Sequence, residues 1–132
     1  MTKGGWFKKF FGDRGERAAA QYLKRLGYRI LARQSRSRIG EIDLIALDGD
    51  TIVFVEVKTR SSHVKGHPVE AVDIAKQKQL TRAALAWMKQ RRLLGRRGRF
   101  DVVAITWRDG ERPVVEHFQN AFSAIGSNSM YS

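Results

Sequence analysis

The sequence predicts an α/β fold whose elements run in the order α-β-β-β-α-β-β. Three observations carry that reading. Apolar residues recur at helical spacing after Asp13 and again before Gln90, β-branched runs lie between and after these stretches, and turn pairs containing glycine punctuate the junctions. A chain of 132 residues suits one compact domain with a core of its own. That domain spans 1–132, with 1–11 and 126–132 expected as flexible ends.

The first helix starts at a capping-box pattern, Asp13 with Glu16 three residues on. It carries Ala18, Ala19, Tyr22, Leu23 and Leu26 on one face and stops at Gly27. A short strand, Tyr28 to Arg33, leads into a polar loop, Gln34 to Arg38. Two strands follow, Glu41 to Leu47 and Thr51 to Lys58, joined across Asp48-Gly49-Asp50, which is strong hairpin punctuation. After a Ser/His/Gly loop with Pro68, a second helix runs from the early seventies to about position 90, with Ile74, Leu80, Ala84, Trp87 and Met88 on its apolar face. The basic segment Gln90 to Arg99 reads as a loop. It is followed by a strand at Phe100 to Trp107, an Asp109-Gly110 turn and a last strand at Val114 to Phe118.

Composition narrows the function classes. Without cysteine, disulfides, thiol chemistry and Cys-type zinc sites are excluded, which leaves oxygen and nitrogen ligands. Charged residues interrupt every apolar stretch before the roughly 18 residues of a membrane span, and no apolar signal region opens the chain, so a cytoplasmic protein is expected. Twenty-five Lys and Arg face 13 Asp and Glu, a net charge of +12. Such a surface draws a polyanion by steering and counterion release, without selecting among nucleic acids or an anionic membrane surface.

The chemistry falls on the central hairpin. Strand period two puts Glu56 and Lys58 on one face with Ile52 and Phe54, and Val53, Val55 and Val57 on the other. With Gly49-Asp50 as a two-residue loop, Asp43 stands directly opposite Glu56, whereas a three-residue loop without a bulge would separate them. Paired carboxylates repel unless a cation lies between them. Mg²⁺ or Mn²⁺ takes hard oxygen ligands, which Asp43 and Glu56 provide and the Val57 carbonyl can extend. Lys58, on the same face, can orient or help deprotonate a water and stabilise charge on a phosphate. The pattern suits phosphodiester hydrolysis.

Three blocks, Gly40-Glu41-Ile42-Asp43-Leu44-Ile45-Ala46, Phe54-Val55-Glu56-Val57-Lys58-Thr59-Arg60 and Arg99-Phe100-Asp101-Val102-Val103, resemble the YraN-like family of small uncharacterised bacterial proteins. That family is grouped with the PD-(D/E)xK nuclease superfamily and is similar to archaeal Holliday junction resolvases. The resemblance runs from Gly12 to about Phe122. It implies a restriction-endonuclease-like fold, a mixed central sheet flanked by helices, and a metal-dependent endonuclease acting on nucleic acid, with DNA, branched or otherwise irregular, as the expected substrate. It assigns the motif aspartate to Asp43 and the E-x-K pair to Glu56 and Lys58, and it adds Glu16 to the metal site. Lys76 and Gln77 are matched to the phosphate or water contact at the start of the second helix. Gln34 departs from the pattern, standing where an asparagine is expected before the basic loop. Resolvase-like enzymes act as symmetric dimers because a junction needs two related cuts; a homodimer is compatible with this chain, and nothing in the sequence marks its interface. The alternative is a non-catalytic DNA- or RNA-binding module that keeps the nuclease fold.

Other signals bear on binding. Arg36, Arg38 and Arg60 flank the hairpin blocks, and Arg91, Arg92, Arg96 and Arg97 crowd the loop after the second helix, either as a phosphate clamp or as a solvated helix end. Glu41, two residues before Asp43, can reach a metal but reads first as a salt bridge at the sheet end. Asp101 is expected to pair with a nearby arginine. His63 and His67 have a zinc-compatible spacing without further ligands and are assigned no metal. The stretch Trp6 to Phe11 can stack on bases, touch a membrane surface or pack on the first helix.

Overall fold

The computed structural model describes residues 3–61 and 66–125. Side chains of the Trp6 to Phe11 stretch, His63 and the tail 126–132 lie outside the described residues. The elements are α1 (Lys3–Arg25), β1 (Arg29–Arg36), β2 (Glu41–Asp48), β3 (Thr51–Ser61), a 3₁₀ turn (Pro68–Ala71), α2 (Ile74–Gln90), β4 (Gly98–Trp107) and β5 (Val114–Phe122). They form a five-stranded sheet ordered β1-β2-β3-β4-β5. The β3–β4 pair is parallel and the other neighbours are antiparallel. The order and the mixed sheet agree with the expected restriction-endonuclease-like architecture.

The two helices cover opposite faces. Ala19, Ala20 and Leu23 of α1 pack with Leu44, Ala46, Val53, Val55, Val103 and Ile105. Leu80, Ala84, Trp87 and Met88 of α2 pack with Ile45, Ile52, Phe54, Phe100 and Val102. With both faces buried, β3 and β4 read as near-continuous apolar runs rather than alternating ones. Phe54 joins the layers of the α2 side, its ring 5.9 Å edge-on to Trp87 and 5.7 Å from Phe100.

Several boundaries differ from the sequence reading. The first helix already begins at Lys3, so 3–11 is helical, and Asp13 lies within α1 rather than capping it. Its carboxylate instead accepts from Gln34 Nε2 at 2.8 Å. The stop at Gly27 holds: Tyr28 N–H bonds to the Leu23 carbonyl and Gly27 N–H to that of Lys24, a Schellman closure with Gly27 at φ +94. Strand β1 continues through Gln34 to Arg36, because an edge ladder uses backbone groups whatever the side chains are. Strand β5 likewise extends to Phe122, and β4 starts at Gly98. At the start of α2, Asp73 is the N-cap, accepting from Lys76 N–H at 2.8 Å. Ile74, expected on the buried face, is 57% exposed because this first residue of the helix lies beyond the sheet contact.

The hairpin register brings Asp43 toward Glu56. Asp48 pairs with Thr51, leaving Gly49-Asp50 as the loop, and only Gly49 has positive φ, as a type II′ turn requires. The ladder runs from that turn to Leu44↔Val55 and stops. Beyond it the alternation slips: Ile42 joins Ile45 on the α2 side, while Leu44 and Ala46 face α1. Asp43 sits at this slip.

Candidate metal centre

Asp43 occupies the gap where β2 and β3 part. Its Oδ2 accepts a 2.8 Å hydrogen bond from Val57 N–H, and its carboxyl is within hydrogen-bonding reach of Glu56. The residue-number arithmetic therefore does bring Asp43 and Glu56 together, although Val57 meets Asp43 through its N–H rather than its carbonyl. Burial, then the adjacent Glu56 charge, push the Asp43 carboxyl far above the usual range, with Glu16 adding to the effect against the Val57 hydrogen bond.

Glu16, Glu41 and Asp43 each bring one carboxylate oxygen to within 4.8 Å of the others. Glu16 reaches the cluster because α1 lies close over β3 at Gly15: a Cβ there would collide with Thr59 Oγ1. Burial raises the Glu16 carboxyl to about 7, opposed by a hydrogen bond from Gln34 and reinforced by Glu41 and Asp13. Glu41 also pairs with Arg36, Nε to Oε2 at 3.2 Å, so the expected salt bridge and the approach to the other carboxylates occur together.

Gln34, which departs from the family pattern, has a contact that the sequence reading did not assign. It holds φ +48 and bridges Asp13 and Glu16 through its amide. Asparagine adopts that left-handed conformation more readily than most residues, which gives the expected asparagine a backbone reason. The contact touches the carboxylate cluster directly and is more than a loop contact.

Glu56 is buried and turned toward two ammonium groups, Lys58 Nζ at 3.5 Å and Lys76 Nζ at 3.7 Å. Lys76 is thereby brought to the site and Gln77 is not. The Gln77 amide donates to the Val72 carbonyl at 2.9 Å, facing a cleft of about 790 Å³ beside β5. One step along the helix rotates a side chain by about 100°, enough to separate the two.

The basic residues divide. Arg36 and Arg38 are exposed at the end of β1 and in the turn that follows, and Arg36 pairs with Glu41. Arg60 is committed to protein partners, bonding Thr106 Oγ1 at 3.3 Å and the Gly66 carbonyl at 2.6 Å and pairing with Glu116 at 3.8 Å. Arg91 stacks on Trp87 at 4.5 Å. Arg92, Arg96 and Arg97 are exposed in the segment leading to Gly98. Gly98 pairs with Ile52, which a strand rise of roughly 3.3 Å per residue puts about 20 Å along β3 from Lys58. His67 Nδ1 accepts from Val69 N–H at 3.3 Å, and its ring lies 4.6 Å from Phe118, so it caps the 3₁₀ turn.

Away from the centre, Asp101 does pair with an arginine. Fully buried, it accepts from Arg99 Nε at 2.9 Å, lies 2.7 Å from His117 Nε2, and accepts from Asn120 N–H at 2.9 Å. Burial would raise its carboxyl, but the hydrogen bonds from His117, Arg99 and Asn120 outweigh it and hold it below the usual range. Arg99 continues to Asp48 at 2.8 Å and to the Tyr28 hydroxyl.

A mixed five-stranded sheet between two helices, with carboxylates and lysines gathered where β2 leaves β3, defines an α/β protein of the restriction-endonuclease-like class. The chain belongs to uncharacterised protein family UPF0102, the YraN-like family, which it matches over residues 15–105. It is 53% identical over 124 residues to a UPF0102 protein of Rhodopirellula baltica, covering 91% of this chain and 74% of that one. It is 49% identical over 122 residues to one of Geobacter sulfurreducens, covering 92% and 95%, and 51% identical over 114 residues to one of Geobacter metallireducens, covering 86% and 93%. No helix among the described residues is long and apolar enough to cross a membrane.

Proposed function

We propose that this protein is a metal-dependent nuclease that hydrolyses phosphodiester bonds in nucleic acid, with branched or otherwise irregular DNA as the substrate. The observation that carries the reading is Asp43, held by Val57 N–H between the Glu56 carboxyl and the Glu16–Glu41 cluster. The donor set fits Mg²⁺ or Mn²⁺. Every side-chain ligand is a hard oxygen, and mutual distances within 4.8 Å are close to the roughly 3 to 4 Å between oxygens sharing a small octahedral cation. The raised Glu16 and Asp43 carboxyls support it too, since protons hold places in a crowded anionic pocket that a cation would take.

Asp43, Glu56, Glu16 and Glu41 would hold the ion, with the Val57 carbonyl as a further oxygen. When bound, it supplies Lewis acidity and a water acidic enough to attack near neutral pH. Lys58 and Lys76, both drawn to Glu56, bring two positive charges to the side where a scissile phosphate gathers negative charge. Lys58 orients the attacking water through its ammonium group. Arg36 and Arg38 continue the basic surface beside the site, and Arg92, Arg96 and Arg97 extend it for a longer substrate.

A binding module without turnover is the second reading. Its specific support is that Glu56, although in reach of Asp43, also pairs with two lysines and lies outside the three-carboxylate cluster. The test is a panel of junction, flap, single-stranded, duplex and RNA substrates with Mg²⁺ and with Mn²⁺, run beside Glu56→Ala. Metal-dependent product that disappears in Glu56→Ala supports the nuclease. Binding to the panel with no product from any member favours the module.

A further inference from the structure

Between α2 and the β1–β2 turn lies a small cleft of about 160 Å³, lined among others by Ser35, Arg36, Ser37, Trp87, Gln90 and Arg91. At about 30 Å³ per water, that is room for roughly five waters or one partly hydrated tetrahedral anion. We propose that this cleft is a subsite for an internucleotide phosphate of the strand being processed, an inference that rests on the nucleic-acid reading above.

Trp87 is 7% exposed, and its Nε1 is buried without a hydrogen-bond partner among the described residues. A buried N–H left unpaired is unfavourable, and Trp87 lines the cleft, so its indole reports on an anion bound there. The remaining polar lining is also rich in donors: two guanidinium groups, the Ser35 hydroxyl and the Gln90 amide, with no Asp or Glu among the lining residues; the Ser37 hydroxyl already donates to the Gly40 carbonyl. Arg91 is already ordered over the Trp87 ring. Arg36 spends Nε on Glu41, which ties the cleft to the carboxylate cluster through one side chain. Ile42, also on the cleft wall, directly precedes Asp43. A phosphate here would lie on the α2 side of the site, beside the exposed Arg36 and Arg38. Guanidinium groups suit this ligand because they offer paired N–H donors to phosphate oxygens.

The experiment reads the Trp87 indole N–H resonance in the full chain without divalent metal, assigned from wild type by removing the other two indoles in separate Trp6→Phe and Trp107→Phe variants. The probes are a short oligothymidylate without terminal phosphate and inorganic phosphate. The Trp87 resonance should move with both. Arg91→Gln should also flatten the slope of log affinity against log salt for the oligothymidylate by about 0.7, the share of one phosphate contact on a single strand. A resonance that moves with inorganic phosphate alone identifies a free-anion site and overturns the proposal. Oligothymidylate binding that leaves Trp87 unmoved overturns it as well, while the nuclease reading stands. Cleavage is not read here, so a chain that binds in this way but never cuts upholds the subsite and fails only the nuclease reading.

Discussion

Asp43 accepts its 2.8 Å hydrogen bond from the main chain of Val57, beyond the last ladder pair, Leu44↔Val55. A side chain thus closes the opening between β2 and β3, and that side chain carries one of the charges proposed to hold a cation. Asp43→Asn keeps an oxygen for Val57 and removes the charge, so folding should survive. Mn²⁺ affinity by calorimetry should fall by at least about tenfold, since even outer-shell partners of metal ligands cost 10- to 100-fold. Unchanged affinity would remove Asp43 from the centre.

Protonation sets the second expectation. Glu16, raised to about 7, and Asp43, raised well above the usual range, have folded-state values above their unfolded ones. The stability they contribute in neutral form is present below the unfolded values near 4 and is lost as pH rises through the folded values. The metal-free protein should therefore melt at lower temperature at pH 9 than at pH 6. Mn²⁺ should bind more tightly at the higher pH and reverse the loss. Asp43→Asn should flatten the metal-free profile; an equally steep profile in that variant would assign the slope to other groups.

Lys58 and Lys76 share Glu56 without coordinating metal. Lys58→Ala should lower turnover by about 100-fold or more with Mn²⁺ affinity nearly unchanged, because its work lies in the transition state. Lys76→Ala should have the same sign and a smaller size. Single-turnover cleavage beside calorimetry separates the two quantities, and a parallel loss of both would recast Lys58 as a support for Glu56.

Buried Asp101 is matched by Arg99 and His117. Asp101→Ala strands the Arg99 guanidinium, which retains Asp48, and should cost roughly 3 to 5 kcal/mol in urea unfolding. Asp101→Asn should cost less. A loss under about 1 kcal/mol for Asp101→Ala would mean that Asp48 and water suffice for Arg99.

A methyl group on Gly15 would displace the Thr59 hydroxyl, while Thr59 Cβ and Cγ2 stay at ordinary contact distance. Gly15→Ala should therefore make Thr59 change rotamer or α1 shift slightly, at about 0.5 to 1.5 kcal/mol, disturbing Glu16 and hence Mn²⁺ binding. Adding Thr59→Ala removes the obstructing oxygen and should restore most of both, which a double-mutant cycle would measure.

The Asp43–Glu56 pairing was legible because hairpin register is arithmetic once the two-residue loop is recognised. Glu16 and Lys76 were legible only through the family resemblance, since no local pattern says which residues of α1 or α2 will face a strand end. The contact of Gln34 with Asp13 and Glu16 escaped because a positive φ at a non-glycine residue leaves no mark in composition. The basic run after α2 read as one patch. It divides because Arg91 lines a cleft with Ser37 and Gly40, while the chain returns past Arg97 to pair with Ile52. Helix direction over a sheet comes from the packing of Trp87, Met88 and Leu80, a tertiary outcome that periodicity does not encode.

The left-handed turn at Gln34 also acts on the outer side of β1. That strand and β5 are the borders of an open sheet, and a flat border is a template onto which further strands can add without limit. Gln34 on β1 and Asn120 on β5 both carry positive φ, and each border ladder contains a register shift, at Ile30/Ala32 and Phe100/Val102. Arg29, Arg33 and Arg36 add like charges along the first border. The kinks interrupt both templates and the charges the first, so the bend that delivers an amide to Glu16 also disfavours the addition of further strands at β1.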